Sequence, residues 1–207
     1  IGGQLTGTTW TATNIYLGPT SLGAITFNFL MSLSGGLLAT YIVSKGDAFW
    51  TFSGGLAGII GASAGNDLYH PIQALIIGGI VPVIAYKLHH YVERRFKLDD
   101  AVGAVAVHGY AGFMGVVIAG FVLWGAPSSP FEGYAAINPL GQFAGAIIMF
   151  FVLGFAPAYI VTRIQSAFGV LRIPPEVELQ GLDFADHHAY ENAIAEITSA
   201  THEHLKS

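Results

Sequence analysis

Five stretches of this chain are apolar over close to the 20 or so residues that a helix needs to cross a bilayer. They lie at about residues 22–43, 49–64, 72–88, 101–124 and 140–161. A backbone in hydrocarbon has to satisfy its own hydrogen bonds, so stretches of this length read as helices. The fold class expected is therefore an all-α polytopic membrane protein. Residues 1–170 form its transmembrane domain and residues 171–207 a polar cytoplasmic tail. The second stretch is short and Gly-rich, and the mildly polar residues 1–18 read as holding the end of a further helix.

The cations set the orientation. Lys45, Lys87, Arg94, Arg95, Lys97, Arg163, Arg172 and Lys206 are all the Lys and Arg of the chain. Each falls at the first-to-second connection, at the third-to-fourth, or after the fifth stretch; residues 65–71 and 125–139 hold none. By the positive-inside rule this alternation puts the C-terminal tail in the cytoplasm and residues 1–18 outside, as in a multi-pass protein of the cell (inner) membrane.

Composition excludes several classes. Only 10% of residues are charged, against about 25% in an ordinary soluble domain. There is no cysteine, which removes disulfides, thiolate catalysis and Cys-based metal sites. The net charge of -5 has no basic cluster behind it, so no nucleic-acid partner is expected. No H-E-x-x-H, P-loop, G-x-G-x-x-G or Ser-His-Asp order is present, so the reading is not an enzyme and calls for no cofactor. The chain opens on Ile1 without a charged segment and short apolar core, so no signal peptide is visible. It reads as part of a longer or processed polypeptide.

Gly54 and Gly58, Gly61 and Gly65, and Gly141 and Gly145 form G-x-x-x-G pairs, a spacing that lets helix backbones approach. Pro82 and Pro157 lie inside apolar stretches, where kinks are expected, and Pro174 with Pro175 is expected to stop the last helix. Asn28 and Gln142 read as interhelical hydrogen-bonding residues. His89 and Glu93 are four apart beside His90, a spacing open to a metal. Flanking Arg94, Arg95 and Lys97 favour a solvated cationic face instead, so no metal is expected.

His108 is the residue that chemistry is most expected to use. It stands alone as an imidazole in the fourth apolar stretch, and a buried ionisable group there needs a partner, a cavity or a role. On an α-helix Ala104, Ala111, Gly112 and Gly115 share its face, and all are small. That face predicts a groove beside the ring, suited to a small neutral or proton-exchanging solute.

Three segments carry a resemblance. Asp99, Asp100, Val107, His108, Gly109 and Gly112 are similar to the D-D-x-x-x-x-x-x-V-H-G-x-x-G signature of the ammonium transporter (Amt/Rh/Mep) family. Ser53, Gly54, Ala57 and Gly58 resemble that family's S-G-x-x-A-G helix. Leu171-Arg172-Ile173-Pro174, then Gly181-Leu182-Asp183 and His187, resemble its L-R-V-P…G-L-D…H tail. The resemblance implies an ammonium-transporter fold of about eleven helices in two inverted repeats plus a last long helix. This chain would supply the C-terminal repeat, the last helix and the cytoplasmic tail.

It further implies a homotrimer with one pore per subunit, in which His108 is the second of a histidine pair whose first member lies outside these residues. Ala104 and Gly112 would line the pore beside it. Asp100 would be structural, and Pro174, Gly181, Asp183 and His187 would belong to a regulatory tail that couples to PII signal proteins. The family's F-N-x-G-S pattern aligns with Trp10 at the aromatic and Asn14 at the serine, with Thr11 and Thr13 replacing the asparagine and glycine. Gly103 stands where the family often has aspartate, and His188 replaces a tail glycine.

The function implied is transport of ammonium, ammonia or methylammonium through a hydrophobic pore. Trp10 would offer a cation-π face at the outer mouth and Asn14 a hydrogen-bond acceptor. The alternative is an ammonium sensor that uses the same fold without substantial transport.

Overall fold

The computed structural model describes residues 14–15, 18–19, 22–127, 133, 135–172 and 178. Two short strands, β1 (Asn14–Ile15) and β2 (Gly18–Pro19), pair antiparallel, with Asn14 opposite Pro19. A helix end was expected within residues 1–18, but these four residues are extended. Proline has no N–H to donate and biases the residue before it away from helical geometry.

The helices are α1 (Leu22–Val43), α2 (Ala48–Ala62), α3 (Pro71–Phe96), α4 (Ala111–Val122), α5 (Pro139–Ile147) and α6 (Ala156–Ala167). A 3-10 turn, Ser63–Gly65, extends α2. A π-helical segment, Val105–Tyr110, leads into α4, and a second one, Ile148–Phe155, follows α5. Among the described residues four helical segments are long and apolar enough to cross a membrane: Gly23–Val43, Pro71–Phe96, Val105–Val122 and Pro139–Ala167. α2 has 15 residues and falls short of that length. With its 3-10 turn it rises about 28 Å, close to the hydrocarbon thickness of a bilayer.

Local chemistry sets the boundaries. The Asp47 side chain accepts from Trp50 N at 2.8 Å to start α2. His70 Nδ1 accepts from Ile72 N, Gln73 Oε1 accepts from His70 N, and Pro71 occupies the first turn of α3. Asn138 Oδ1 accepts from Gly141 N at 2.8 Å to start α5. These are the orphan N–H groups that every helix start must satisfy. α3 carries Pro82 and continues to Phe96, eight residues past the apolar stretch.

The chain divides into two compact units, Ile1–Gly154 and Phe155–Ser207. In the first, α1, α2 and α3 pack on one another, α4 packs on α2 and α3, and α5 packs on α4. The three-helix contact is made backbone to backbone. A Cβ on Gly58 would lie 2.5 Å from the Ser32 carbonyl oxygen of α1 and 2.8 Å from the Gly78 carbonyl oxygen of α3. Asn28 is buried and its Nδ2 donates to the Asn66 and Tyr69 carbonyls at 2.9 and 2.7 Å, tying α1 to the loop before α3.

In the second unit Pro157 stands in the first turn of α6, where a missing N–H is tolerated. A change of helix type, from the π segment Ile148–Phe155 to α6, falls just before it in sequence. α6 closes with a Schellman turn. Val170 N donates to Gln165 O and Gly169 N to Ser166 O, both at 3.1 Å, with Gly169 at φ +70°. The helix therefore ends at Ala167, ahead of the Pro174-Pro175 pair expected to stop it. Arg172 Nη2 donates to both carboxylate oxygens of Glu178 at 2.9 Å.

Candidate functional site

The helix that carries His108 starts from one carboxylate. Asp100 Oδ1 accepts from Val105 N at 3.1 Å and Oδ2 from Ala106 N at 3.0 Å. Gly103 bends the chain between cap and helix at φ +64°, and its N–H donates to the Asp100 carbonyl at 2.8 Å. Aspartate and asparagine also visit this left-handed region more readily than other residues. The Asp100 carboxylate further meets Nδ1 of His89 at 3.4 Å. His89 is buried at 7% exposure, edge-on to Trp50 of α2 with ring centroids 4.6 Å apart. It is thus no part of a solvated cationic face.

His108 lies inside the π-helical segment and is exposed on this chain. Ala104 is exposed with it and Gly112 is half-buried, its added Cβ meeting, among the described residues, Ile60 Cγ2 at 3.7 Å. Ala111 and Gly115 do not share that face. Both are buried, and Gly115 abuts the Gly61 backbone of α2. The α-helical reading put all four beside His108, and the π segment is why two leave. Its i→i+5 bonding, seen in Ala111 N donating to Ala106 O, turns each residue through less than the about 100° of an α-helix. Gly115 meets α2 instead, and Ala111 joins the buried core. On the flank, Phe113 packs edge-on against Phe143 and Phe150, each at 6.0 Å.

The other expected site residues are placed as follows. Asn14 sits in β1, not on a helix end. Trp10, Pro174, Gly181, Asp183 and His187 lie outside the described residues. Of the sequence-derived set, Asp100 caps the segment that carries His108, and Ala104 and Gly112 lie one turn to either side of His108 along it.

A second feature went unnoticed in the sequence. A pocket of about 520 Å³ opens where α1 and α3 meet the loop 66–70, lined by Phe27, Asn28, Asp67, Tyr69 and His70 among others. Asn28 Oδ1 and the Tyr69 hydroxyl are buried with no hydrogen-bond partner among the described residues. Burial raises the Asp67 carboxyl above its ordinary 3.8. Burial, then the Asp67 charge, pushes the Tyr69 phenol far up. The one sequence signal was an acid in a loop otherwise free of charge.

A carboxyl with a raised folded-state pKa binds its proton more tightly when folded. The resulting penalty is absent below 3.8, grows as pH rises through the folded value, and is complete above it. Thermal melts across that window should show wild-type stability falling with pH relative to Asp67→Asn. Parallel curves for the two proteins would refute the assignment.

Helices of this length and apolarity define an all-α polytopic membrane protein. Residues 6–192 match the model of the Ammonium Transporter Family, and the chain belongs to that family. It is 34% identical over 169 residues to the ammonium transporter Amt2 of Methanocaldococcus jannaschii, covering 80% of this chain and 38% of that protein. It is 30% identical over 171 residues to Amt1 of the same organism, covering 79% and 41%. The ammonium transporter of Bacillus subtilis is 25% identical over 207 residues, covering 94% and 51%. The chain thus spans about two fifths of the length of the first two relatives.

Proposed function

We propose that this chain forms the C-terminal part of a transporter that passes ammonium or ammonia across the inner membrane. One observation carries the reading. In a family whose relatives are named ammonium transporters, His108 is exposed on an apolar helix beside Ala104 and Gly112. An imidazole at membrane depth facing small residues leaves room for a solute of one heavy atom, and the ring can donate to it or accept from it. The covering surface, with a second histidine, would come from the rest of the polypeptide in the inverted-repeat arrangement. Asp100 serves by holding the start of the His108 helix. Trp10 and Asn14 would stand at the outer mouth. The assembly would be a homotrimer with its C-terminus in the cytoplasm, and Pro174, Gly181, Asp183 and His187 would belong to a surface for a PII signal protein.

The test is methylammonium uptake by the full-length protein in proteoliposomes. His108→Ala should lower the rate by about tenfold or more, the equivalent of about 1.4 kcal/mol in the barrier. Uptake unchanged at equal protein incorporation would overturn the role of His108.

A further inference from the structure

We propose that His89, His90 and Glu93, at the C-terminal end of α3, bind a divalent first-row transition-metal ion such as Zn2+. Their ligand atoms all lie within 4.8 Å of one another. Glu93 Oε2 stands 3.9 Å from His89 Nε2 and 3.4 Å from His90 Nδ1. In a tetrahedral site with bonds near 2.0–2.1 Å, neighbouring ligand atoms are about 3.3 Å apart. The Glu93–His90 separation is already close to that spacing, and binding would draw the His89 ring and the Glu93 carboxylate together. Two imidazole nitrogens and one carboxylate oxygen suit Zn2+, Co2+ or Ni2+ and leave a fourth position open.

The surroundings favour a cation at this point. His89 has a carboxylate at each ring nitrogen: Asp100 at Nδ1, 3.4 Å away, and Glu93 at Nε2. A carboxylate behind a histidine is also the outer-shell arrangement that orients metal-bound imidazoles. The rings are held in place. Trp50 packs on His89 at 4.6 Å and on His90 at 5.3 Å between centroids, and Tyr86 packs edge-on to His90 at 4.6 Å.

The neighbouring arginines are engaged elsewhere. Arg94 Nε donates to the His90 carbonyl at 3.0 Å, and the Arg95 guanidinium lies 5.5 Å from the Phe96 ring centroid. Among the described residues, the basic side chains within 4.0 Å of the Glu93 carboxylate are the two histidines. Asp100 also caps the helix of His108, so the ion would share an anchor with that helix.

The experiment uses the full-length protein in detergent, stripped with chelator and dialysed against Zn2+, with Co2+ as a spectroscopic probe. One ion per chain is expected, with a tetrahedral Co2+ spectrum and a rise in melting temperature on Zn2+ addition. His90→Ala and Glu93→Gln change more accessible positions and should each keep the metal-free melting temperature. Each should weaken binding by at least the roughly 10–100-fold that loss of an outer-shell partner costs. A variant with His187, His188, His202 and His204 all changed to alanine should bind as the wild type does. No uptake by the wild type, undiminished binding in both α3 variants, or loss of the ion with the four tail histidines would each overturn the site. Transport is not the readout, so failure of the pore reading and failure of the metal site remain separable.

Discussion

Gly78→Leu is expected to prevent this protein from accumulating in a folded state. The three atoms nearest to a Cβ at Gly78 are all main chain: the carbonyl oxygen of Ser32, its Cα at 2.5 Å and its carbonyl carbon at 2.8 Å. No side chain can rotate away, so α1 and α3 would have to separate. Separation would also open the crossing at Gly58, which uses the same Ser32 carbonyl and the Gly78 carbonyl. Extra methylenes in a packed core cost about 1–3 kcal/mol where side chains can yield. Here both partners are main chain, and the loss spreads over three helices, against a total stability of about 5–15 kcal/mol. Gly145→Leu is the control. It belongs to a G-x-x-x-G pair of the same form, yet among the described residues its Cβ would meet nothing within 4 Å. Size-exclusion profiles and melting temperatures in detergent should separate the two; equal behaviour would refute the crossing.

Asp100→Ala is expected to destabilise the protein by about 0.5–2 kcal/mol, the usual cost of losing a helix cap. It removes the acceptor for Val105 N and Ala106 N and the carboxylate partner of His89 together. Asp100→Asn keeps one acceptor oxygen and should recover part of the loss. The prediction reaches beyond stability. His108 lies three residues past Val105, within the segment this carboxylate starts, so uptake per folded molecule should fall in Asp100→Ala and partly return in Asp100→Asn. Melting temperature together with uptake normalised to folded protein checks both. An Asp100→Ala protein with wild-type values of each would show that the cap contributes nothing.

Much of the architecture was legible because hydrophobicity and helix-stop chemistry act locally. The apolar stretches, Asp100 before the His108 segment and the family motifs all depend on short spacings. The misreadings share a different origin. Ala111 and Gly115 were assigned to the His108 face by assuming an α period, and the period changes at Val105–Tyr110. Three G-x-x-x-G pairs look alike in sequence, yet the Gly54–Gly58 and Gly61–Gly65 pairs sit against other helices or loops while Gly145 is open among the described residues. His89 read as solvated because its sequence neighbours are charged. Trp50, 39 positions earlier, covers it, and Asp100, 11 positions later, meets it.

By itself, then, the sequence determined that this is a helical membrane protein of the ammonium transporter family, with one imidazole inside an apolar helix. That much follows from side-chain solvation and short motifs, which need no knowledge of distant contacts. Only the tertiary structure decided which way His108 faces, which glycines bear a helix crossing, and that His89, His90 and Glu93 converge beside Asp100. Those outcomes depend on backbone approach within a few ångströms between segments far apart in the chain, and no local pattern encodes that approach.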